Sequence, residues 1–141
     1  MTATELPNPA PYISPEMKEF WAATAEGRLT MPKCNDCSLY VWYPRPFCPA
    51  CGSTDVTWTD VSGKGTVYTF TAVHRSGVPG FKDALPYVIA YVQLDEGPRI
   101  MTNIVGVDPD QVRVDMPVTV VFHDTGHGNA LFRFQPAVSG S

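Results

Sequence analysis

Four cysteines within an eighteen-residue window constrain this 141-residue chain more than any other feature of its sequence. They form two CxxC pairs, Cys34 with Cys37 and Cys48 with Cys51, and ten residues separate the pairs. Two thiolates separated by two residues fit on one tight turn, and two such turns complete a tetrahedral site for one metal ion. Disulfides are the alternative, because four cysteines allow three pairings in a secreted protein. The spacing favours the metal site.

The predicted metal is a single zinc ion with a structural role. Four thiolates suit either zinc or a redox-active iron, and zinc is the usual ion of a short ribbon. A site closed by four protein ligands leaves no position open for a substrate. The gap of ten residues is shorter than in common four-cysteine motifs, so we expect residues 39–47 to form a compact hairpin. Its first half reads as an aromatic strand, and Pro44 and Pro46 stiffen its return.

The aromatic residues of this segment have two interpretations. They are Tyr40, Trp42, Tyr43, Phe47 and Trp58. Such side chains stack well on nucleic-acid bases, but a ribbon this small needs large apolar groups to form a core. We therefore expect them to be the core of the ribbon.

Charge and composition argue against two classes of function, nucleic-acid binding and membrane spanning. The chain carries 10 Lys and Arg residues against 14 Asp and Glu residues, a net charge of -4. Binding to a polyanion depends on clustered basic residues, and here they are scattered, so nucleic acid is disfavoured as a partner. The apolar runs are too short to cross a membrane. No basic start followed by an apolar segment opens the chain, and free thiolates need a reducing environment, so we expect a cytoplasmic location.

An extended arm and a short helix are predicted ahead of the ribbon. Residues 1–13 contain three prolines, which favour an extended chain. Pro15 suits the first position of a helix, and Gly27 is its natural stop. Apolar residues recur at helical spacing between these two positions. This apolar stripe either packs on the core of the chain or presents Phe20 and Trp21 to a partner.

Five segments with β-propensity follow the ribbon. They are residues 66–75, 87–94, 99–107, 118–124 and 130–136. Five antiparallel strands hide their edges best by closing into a barrel, which is the OB-fold, and an open sheet is the alternative. The predicted fold is mainly β, with an N-terminal helix, a four-cysteine zinc ribbon and a five-stranded OB-fold barrel. We expect an arm and helix at 1–28, the ribbon at 29–57 and the OB-fold domain at 58–141.

Several motifs together resemble one known family. They are FW at 20–21, GRL at 27–29, CNDC at 34–37, PRPFCPAC at 44–51, SGKGTVYTFT at 62–71 and PYVIAYVQLDEGPRIMTNIVG at 86–106. From Phe20 to Phe122 the chain is similar to the rubredoxin-like zinc-ribbon and OB-fold proteins called domain of unknown function thirty-five. The resemblance implies a zinc ribbon followed by an OB-fold. The family usually has glycine where Ser38 and Asp115 stand in this sequence.

A function is also implied by the resemblance. Members of the family commonly accompany thiolase-like acyl-CoA enzymes as small accessory subunits, some beside a lipid-transfer-type aldolase or a hydratase in sterol side-chain breakdown. This implies a noncatalytic subunit that associates with such an enzyme and helps bind or channel acyl-CoA in lipid or steroid metabolism. The sequence has no Walker loop, nucleophile elbow or dinucleotide fingerprint, and the metal uses all four cysteines. We therefore expect no independent catalytic activity.

Five basic residues are candidate ligands for the phosphates of coenzyme A. They are Lys33, Arg45, Lys64, Arg75 and Lys82. The first two adjoin the cysteines, where their charges alternatively offset the negative metal cluster. Two other function classes stay open: a single-stranded nucleic-acid-binding OB module, against which the acidic charge argues, and an electron carrier with iron in the four-cysteine site.

Overall fold

A short helix leads into seven strands in the computed structural model, which describes residues 6–75, 77 and 81–137, the side chain of Lys82 excepted. A 3₁₀ turn at Pro15–Met17 continues into helix α1 (Lys18–Thr24). Proline suits this start because its ring holds φ near the helical value and its missing N–H would have no partner there. Past the end of the helix, Gly27 takes a φ of 73°, which glycine adopts without steric strain. The predicted N-terminal helix is confirmed.

Two strands frame the four cysteines. Strand β1 (Thr30–Cys34) pairs antiparallel with β2 (Val56–Asp60), and β2 runs across the predicted boundary between residues 57 and 58. The aromatic strand expected within 39–47 does not form, because only Tyr40 pairs, in an isolated bridge to Lys33. Prolines without an N–H donor follow closely and prevent a ladder.

Five strands then close into a barrel. They are β3 (Lys64–Val73), β4 (Tyr87–Leu94), β5 (Arg99–Ile104), β6 (Pro117–Asp124) and β7 (Ala130–Pro136). Their order around the barrel is β3-β4-β5-β7-β6, and it closes where β6 pairs with β3. All neighbours are antiparallel except β5 and β7, which are parallel and pair only at Ile104 and Phe134. The closed order confirms the predicted OB-fold and rules out the open sheet.

Helix, ribbon and barrel share one hydrophobic core. Phe20 of α1, Met31 of β1 and Phe134 of β7 all have no exposed surface and belong to the same cluster. Inward side chains alternate along the barrel strands, as Val88, Ala90, Val92 and Leu94 do on β4, because successive residues of a strand face opposite sides. Within the described chain, no helix is long and apolar enough to cross a membrane.

Candidate functional site

The four cysteine sulfurs converge at the base of the ribbon. Their Sγ atoms all lie within 4.8 Å of one another. Cys34 and Cys51 are 3.6 Å apart, and Cys37 and Cys48 are 3.5 Å apart. Tetrahedral zinc at the usual Zn–S length of about 2.3 Å requires sulfurs separated by about 3.8 Å. The cluster therefore has the ligand set and the dimensions of a closed zinc site, as the spacing of the cysteines predicted.

Each CxxC pair lies on a turn of the same construction. The N–H of Ser38 donates to the carbonyl of Cys34 at 2.9 Å, and the N–H of Gly52 donates to the carbonyl of Cys48 at 2.8 Å. The residue after each second cysteine is left-handed, with φ of 65° at Ser38 and 78° at Gly52. The two turns are thus matching halves of the site, although only one of them has the glycine that this conformation favours.

Backbone amides and neighbouring sulfurs set the proton affinities within the cluster. The backbone N–H of Cys37 lowers the pKa of Cys34, and the backbone N–H of Cys51 lowers the pKa of Cys48 to about 7. The backbone N–H of Ser53 favours the thiolate of Cys51, but the three neighbouring sulfurs and burial together outweigh it and raise the pKa of Cys51 to about 12. Without a metal the cluster therefore retains protons, which a bound ion displaces.

A polar clip beside the cysteines joins the two halves of the ribbon. The side-chain amide of Asn35 donates to Asp55 Oδ1 at 2.9 Å and to Thr57 Oγ1 at 2.8 Å. The hydroxyl of Ser53 donates to the carboxylate of Asp36. These bonds hold the first cysteine turn against the residues between the second cysteine turn and β2. Side chains that are not ligands themselves therefore also help to position the cysteine ligands.

The five basic residues proposed as ligands lie on different elements of the structure. Lys33 lies on β1 with its Nζ 5.2 Å from the centre of the Tyr40 ring, which is a cation–π contact. Arg45 is exposed in the loop between the cysteine pairs, Lys64 is exposed at the start of β3, and Arg75 is exposed just after that strand. Lys82 begins a 3₁₀ turn, and its side chain lies outside the described residues. Their role as ligands stays a prediction.

Phe20 and Trp21 lie inside the chain rather than on its surface. Phe20 is fully buried, and Trp21 is 9% exposed. The ring of Phe20 lies 5.3 Å from Trp42 of the ribbon loop and 5.4 Å from Phe132 of β7, measured between centroids. This burial matches the interpretation in which the stripe packs on the chain's own core. A direct contact of these two side chains with a partner stays a prediction.

Two aromatic residues expected in the ribbon core are on the surface instead. Tyr43 is 51% exposed and Phe47 is 44% exposed, and Leu39 of the same loop is also exposed. Trp42 and Trp58 do pack against the core. The prediction was wrong for Tyr43 and Phe47, whereas Trp42 of the same loop packs on Phe20 of the helix, with 5.3 Å between ring centroids.

The burial of the Arg133 side chain was not predicted from the sequence. Arg133 of β7 is only 2% exposed, although its place between Phe132 and Phe134 in the alternating strand assigns it to the outer face. Its cover comes from Pro7 and Asn8, more than a hundred residues earlier in the chain. Nothing in the local sequence of the strand indicates such a contact.

The fold and the cysteine site together define a class of protein, the rubredoxin-like zinc ribbon joined to an OB-fold. Two family models match the chain in that order. The model described as the ChsH2 rubredoxin-like zinc ribbon domain matches residues 21–57, and the model described as the ChsH2 C-terminal OB-fold domain matches residues 58–123. The ribbon match and the four-sulfur cluster identify the metal as one structural zinc.

Comparison with named relatives narrows this class to one protein family. A DUF35 domain-containing scaffold protein of Pyrococcus furiosus is 36% identical over 107 residues, which are 75% of this chain and 77% of that protein. A probable enoyl-CoA hydratase alpha subunit of Thermomonospora curvata is 35% identical over 92% of this chain, but this chain spans only 40% of that protein's length. A chain of the solved structure described as the Ltp2-ChsH2(DUF35) aldolase is 35% identical, with a TM-score of 0.82 over 92% of this chain and all of that one. This protein belongs to the DUF35 family.

Proposed function

We propose that this protein is a noncatalytic accessory subunit of a thiolase-like or lipid-transfer-type acyl-CoA enzyme. The observation that carries the proposal is the similarity, over 92% of the chain, to a chain in a structure described as an Ltp2-ChsH2(DUF35) aldolase. A relative described as the 3-oxo-4,17-pregnadiene-20-carboxyl-CoA hydratase alpha subunit of Mycobacterium tuberculosis adds support, at 33% identity over 81% of this chain. This chain spans only 36% of that relative's length.

The ribbon loop is the surface we propose for the partner enzyme. Leu39, Tyr43 and Phe47 expose apolar side chains on one short loop, and the exposed Arg45 lies between the last two. Aromatic and arginine side chains are enriched where protein partners meet. The loop is fixed at both ends by the cysteine turns, so it presents this surface without a large loss of conformational freedom on binding. We call Leu39, Tyr43, Arg45 and Phe47 the ribbon patch.

Co-expression with a thiolase-like or lipid-transfer-type acyl-CoA enzyme from the same genome tests the proposal. We expect the two proteins to elute together in size-exclusion chromatography and the enzyme to lose activity or stability without its subunit. Replacing both Tyr43 and Phe47 by Ala is expected to weaken the complex at least tenfold while leaving the zinc content and thermal unfolding unchanged. Val114→Ala, at an equally exposed apolar residue outside the ribbon, is the matched control. Separate elution of the unaltered proteins, with no effect on activity, contradicts the proposal.

Acyl-CoA is the proposed small-molecule partner of the complex. Arg45, Lys64 and Arg75 are exposed and therefore available to phosphate groups, and arginine binds phosphate through two parallel N–H bonds. We expect Arg75→Gln to weaken coenzyme A binding by the complex without dissociating it. None of the four cysteines forms a disulfide, which a reducing compartment favours, and this supports a cytoplasmic location.

A single-stranded nucleic-acid module is the second candidate, favoured by one observation. Tyr68 and Tyr91 expose their rings on the outer face of β3 and β4, and the guanidinium of Arg99 lies 3.8 Å from the centre of the Tyr68 ring. Exposed aromatic rings beside arginine are the usual stacking platform of OB-folds for bases. The net charge of -4 opposes this function. Salt-dependent binding of a labelled oligonucleotide at micromolar protein, lost in Tyr68→Ala, is the result that favours it.

A further inference from the structure

A cleft opens on the barrel where β5 and β7 diverge. These parallel strands pair only at Ile104 and Phe134. Away from that point they part, and a cleft of about 340 Å³ lies between Met101 of β5 and Leu131 of β7. Phe81, Tyr87 and Ile89 also line it, so most of its wall is apolar. This volume is at the lower end of the range for sites that hold small organic molecules.

A buried positive charge forms part of the same wall. Arg133 lines the cleft and is 2% exposed. Its Nη1 donates to Asn8 Oδ1 at 2.6 Å and to His123 Nδ1 at 2.8 Å, and its Nη2 donates to the carbonyl of Pro7 at 2.6 Å. The acceptors on Asn8 and Pro7 are neutral oxygens, and a histidine ring supplies no negative charge. None of the ion pairs among the described residues includes Arg133.

A buried cation without an anion is unusual in a folded protein. Removing a charge from water is expensive unless an opposite charge and hydrogen bonds replace the solvent. Here hydrogen bonds are present, but no carboxylate of the described residues accompanies them. Burial accordingly lowers the pKa of Arg133 below that of a free guanidinium. An anionic group placed at this guanidinium would supply the missing charge.

We propose that the cleft binds an elongated apolar ligand that ends in a carboxylate, and that Arg133 receives the carboxylate. The apolar wall suits the body of such a ligand, and guanidinium and carboxylate pair through two parallel N–H to oxygen bonds. Asn8 Oδ1 and the Pro7 carbonyl lie 2.6 Å from Nη1 and Nη2. These two oxygens therefore stand where the two carboxylate oxygens of the ligand bind.

Binding displaces the N-terminal arm from Arg133 in this proposal. Asn8 and the two residues after it are exposed, so little packing holds them in place. The ligand exchanges two hydrogen bonds to neutral oxygens for two bonds to a charged group, which are stronger. The arm is thus a competitor that the ligand replaces, and the site does not depend on the partner enzyme proposed above.

Calorimetric titration of the full zinc-loaded chain with decanoate, decan-1-ol and decyl phosphate tests the proposal. We expect one decanoate to bind per chain, with decan-1-ol at least about tenfold weaker because it cannot pair with the guanidinium. Equal binding of decanoate and decan-1-ol overturns the role of Arg133, and the absence of saturable binding at millimolar decanoate overturns the site. Tighter binding of decyl phosphate than of decanoate overturns the assignment of the anion as a carboxylate.

Variants of exposed residues avoid the risk that a substitution of buried Arg133 prevents folding. Asn8→Ala removes the competing oxygen, so we expect it to tighten decanoate binding by about threefold to tenfold. Met101→Glu places a negative charge at the cleft and is expected to weaken binding at least about tenfold. Val114→Glu, outside the cleft, is expected to have no effect. If Asn8→Ala leaves the affinity unchanged or weakens it, the arm is not a competitor and the proposal is wrong.

Discussion

Two single residues, Ser38 and Asp115, adopt a conformation that usually belongs to glycine. Their φ angles are 65° and 68°. A residue with a Cβ in this left-handed region costs about 1–2 kcal/mol relative to a right-handed conformation, and Ser38 needs it to form the first cysteine turn. At Asp115 the same backbone lets the N–H donate to the carbonyl of Val67 at 2.7 Å, which links the β5–β6 connection to β3. Both positions are those at which the family resemblance implied glycine.

Asp115→Gly is therefore expected to stabilise the protein. Glycine removes the left-handed strain of about 1–2 kcal/mol but makes the unfolded chain more flexible, at about 0.5–1 kcal/mol. The net gain is about 0.5–1 kcal/mol, measured as a higher urea midpoint with an unchanged slope. Asp115→Ala is the matched control and is expected to destabilise, because aspartate tolerates this region better than alanine does. Destabilisation by glycine at this position contradicts the strain argument.

At the scale of single residues, the sequence predicted correctly what depends on neighbouring residues in the chain. It failed where residues distant in sequence decide whether a side chain is buried. The metal ligands were predictable, since a CxxC turn requires only its own few residues. Tyr43 was expected in the ribbon core but is half-exposed, whereas its neighbour Trp42 packs against Phe20 from the helix. The strand alternation places Arg133 on the outer face, but Pro7 and Asn8 of the N-terminal arm contact its guanidinium there. The spacing of residues within one element carries no information about either contact.

At the scale of elements, helix α1 joins the two other parts of the molecule. The ring of Phe20 contacts Trp42 in the ribbon loop and Phe132 on β7. The hydroxyl of buried Thr24 accepts from the backbone N–H of Ala130 at 3.1 Å, at the start of β7. The helical spacing of apolar residues predicted the helix and its buried stripe. It could not decide between core and partner, because an apolar stripe has the same pattern in both roles.

Phe20→Ala is expected to cost about 3–5 kcal/mol of unfolding free energy, as other truncations of buried aromatic residues do. The loss is that large because the cavity lies among three aromatic rings from three elements. Chemical denaturation followed by circular dichroism measures it. Lys18→Ala, on the exposed side of the same helix, is the control and is expected to change stability by less than about 0.5 kcal/mol. A Phe20→Ala protein of unaltered stability that no longer binds its partner would assign Phe20 to the interface instead.

At the scale of the whole molecule, the zinc and the barrel support different regions. The barrel has extensive strand pairing, reduced to one residue pair only between β5 and β7, and most of the buried core, whereas residues 35–55 form no strand. The strand segments of the barrel were predictable to within a few residues because their alternation and turn residues are local signals. The ribbon loop has no such periodicity, so its path depends on the metal that closes it.

Removal of zinc is therefore expected to unfold residues 35–55 and leave the barrel folded. Structural zinc sites contribute on the order of 10 kcal/mol to folding of a small ribbon, more than the few buried side chains of this segment supply. After chelation, or in Cys34→Ser, we expect hydrogen exchange to lose protection in residues 35–55 while β3 and β4 keep theirs, and added zinc to restore only the unaltered chain. Ser38→Gly, next to the ligands but not one of them, is the control that keeps its zinc. A folded ribbon in zinc-free protein contradicts the structural role, and a red protein as purified, with visible absorption, identifies iron in place of zinc.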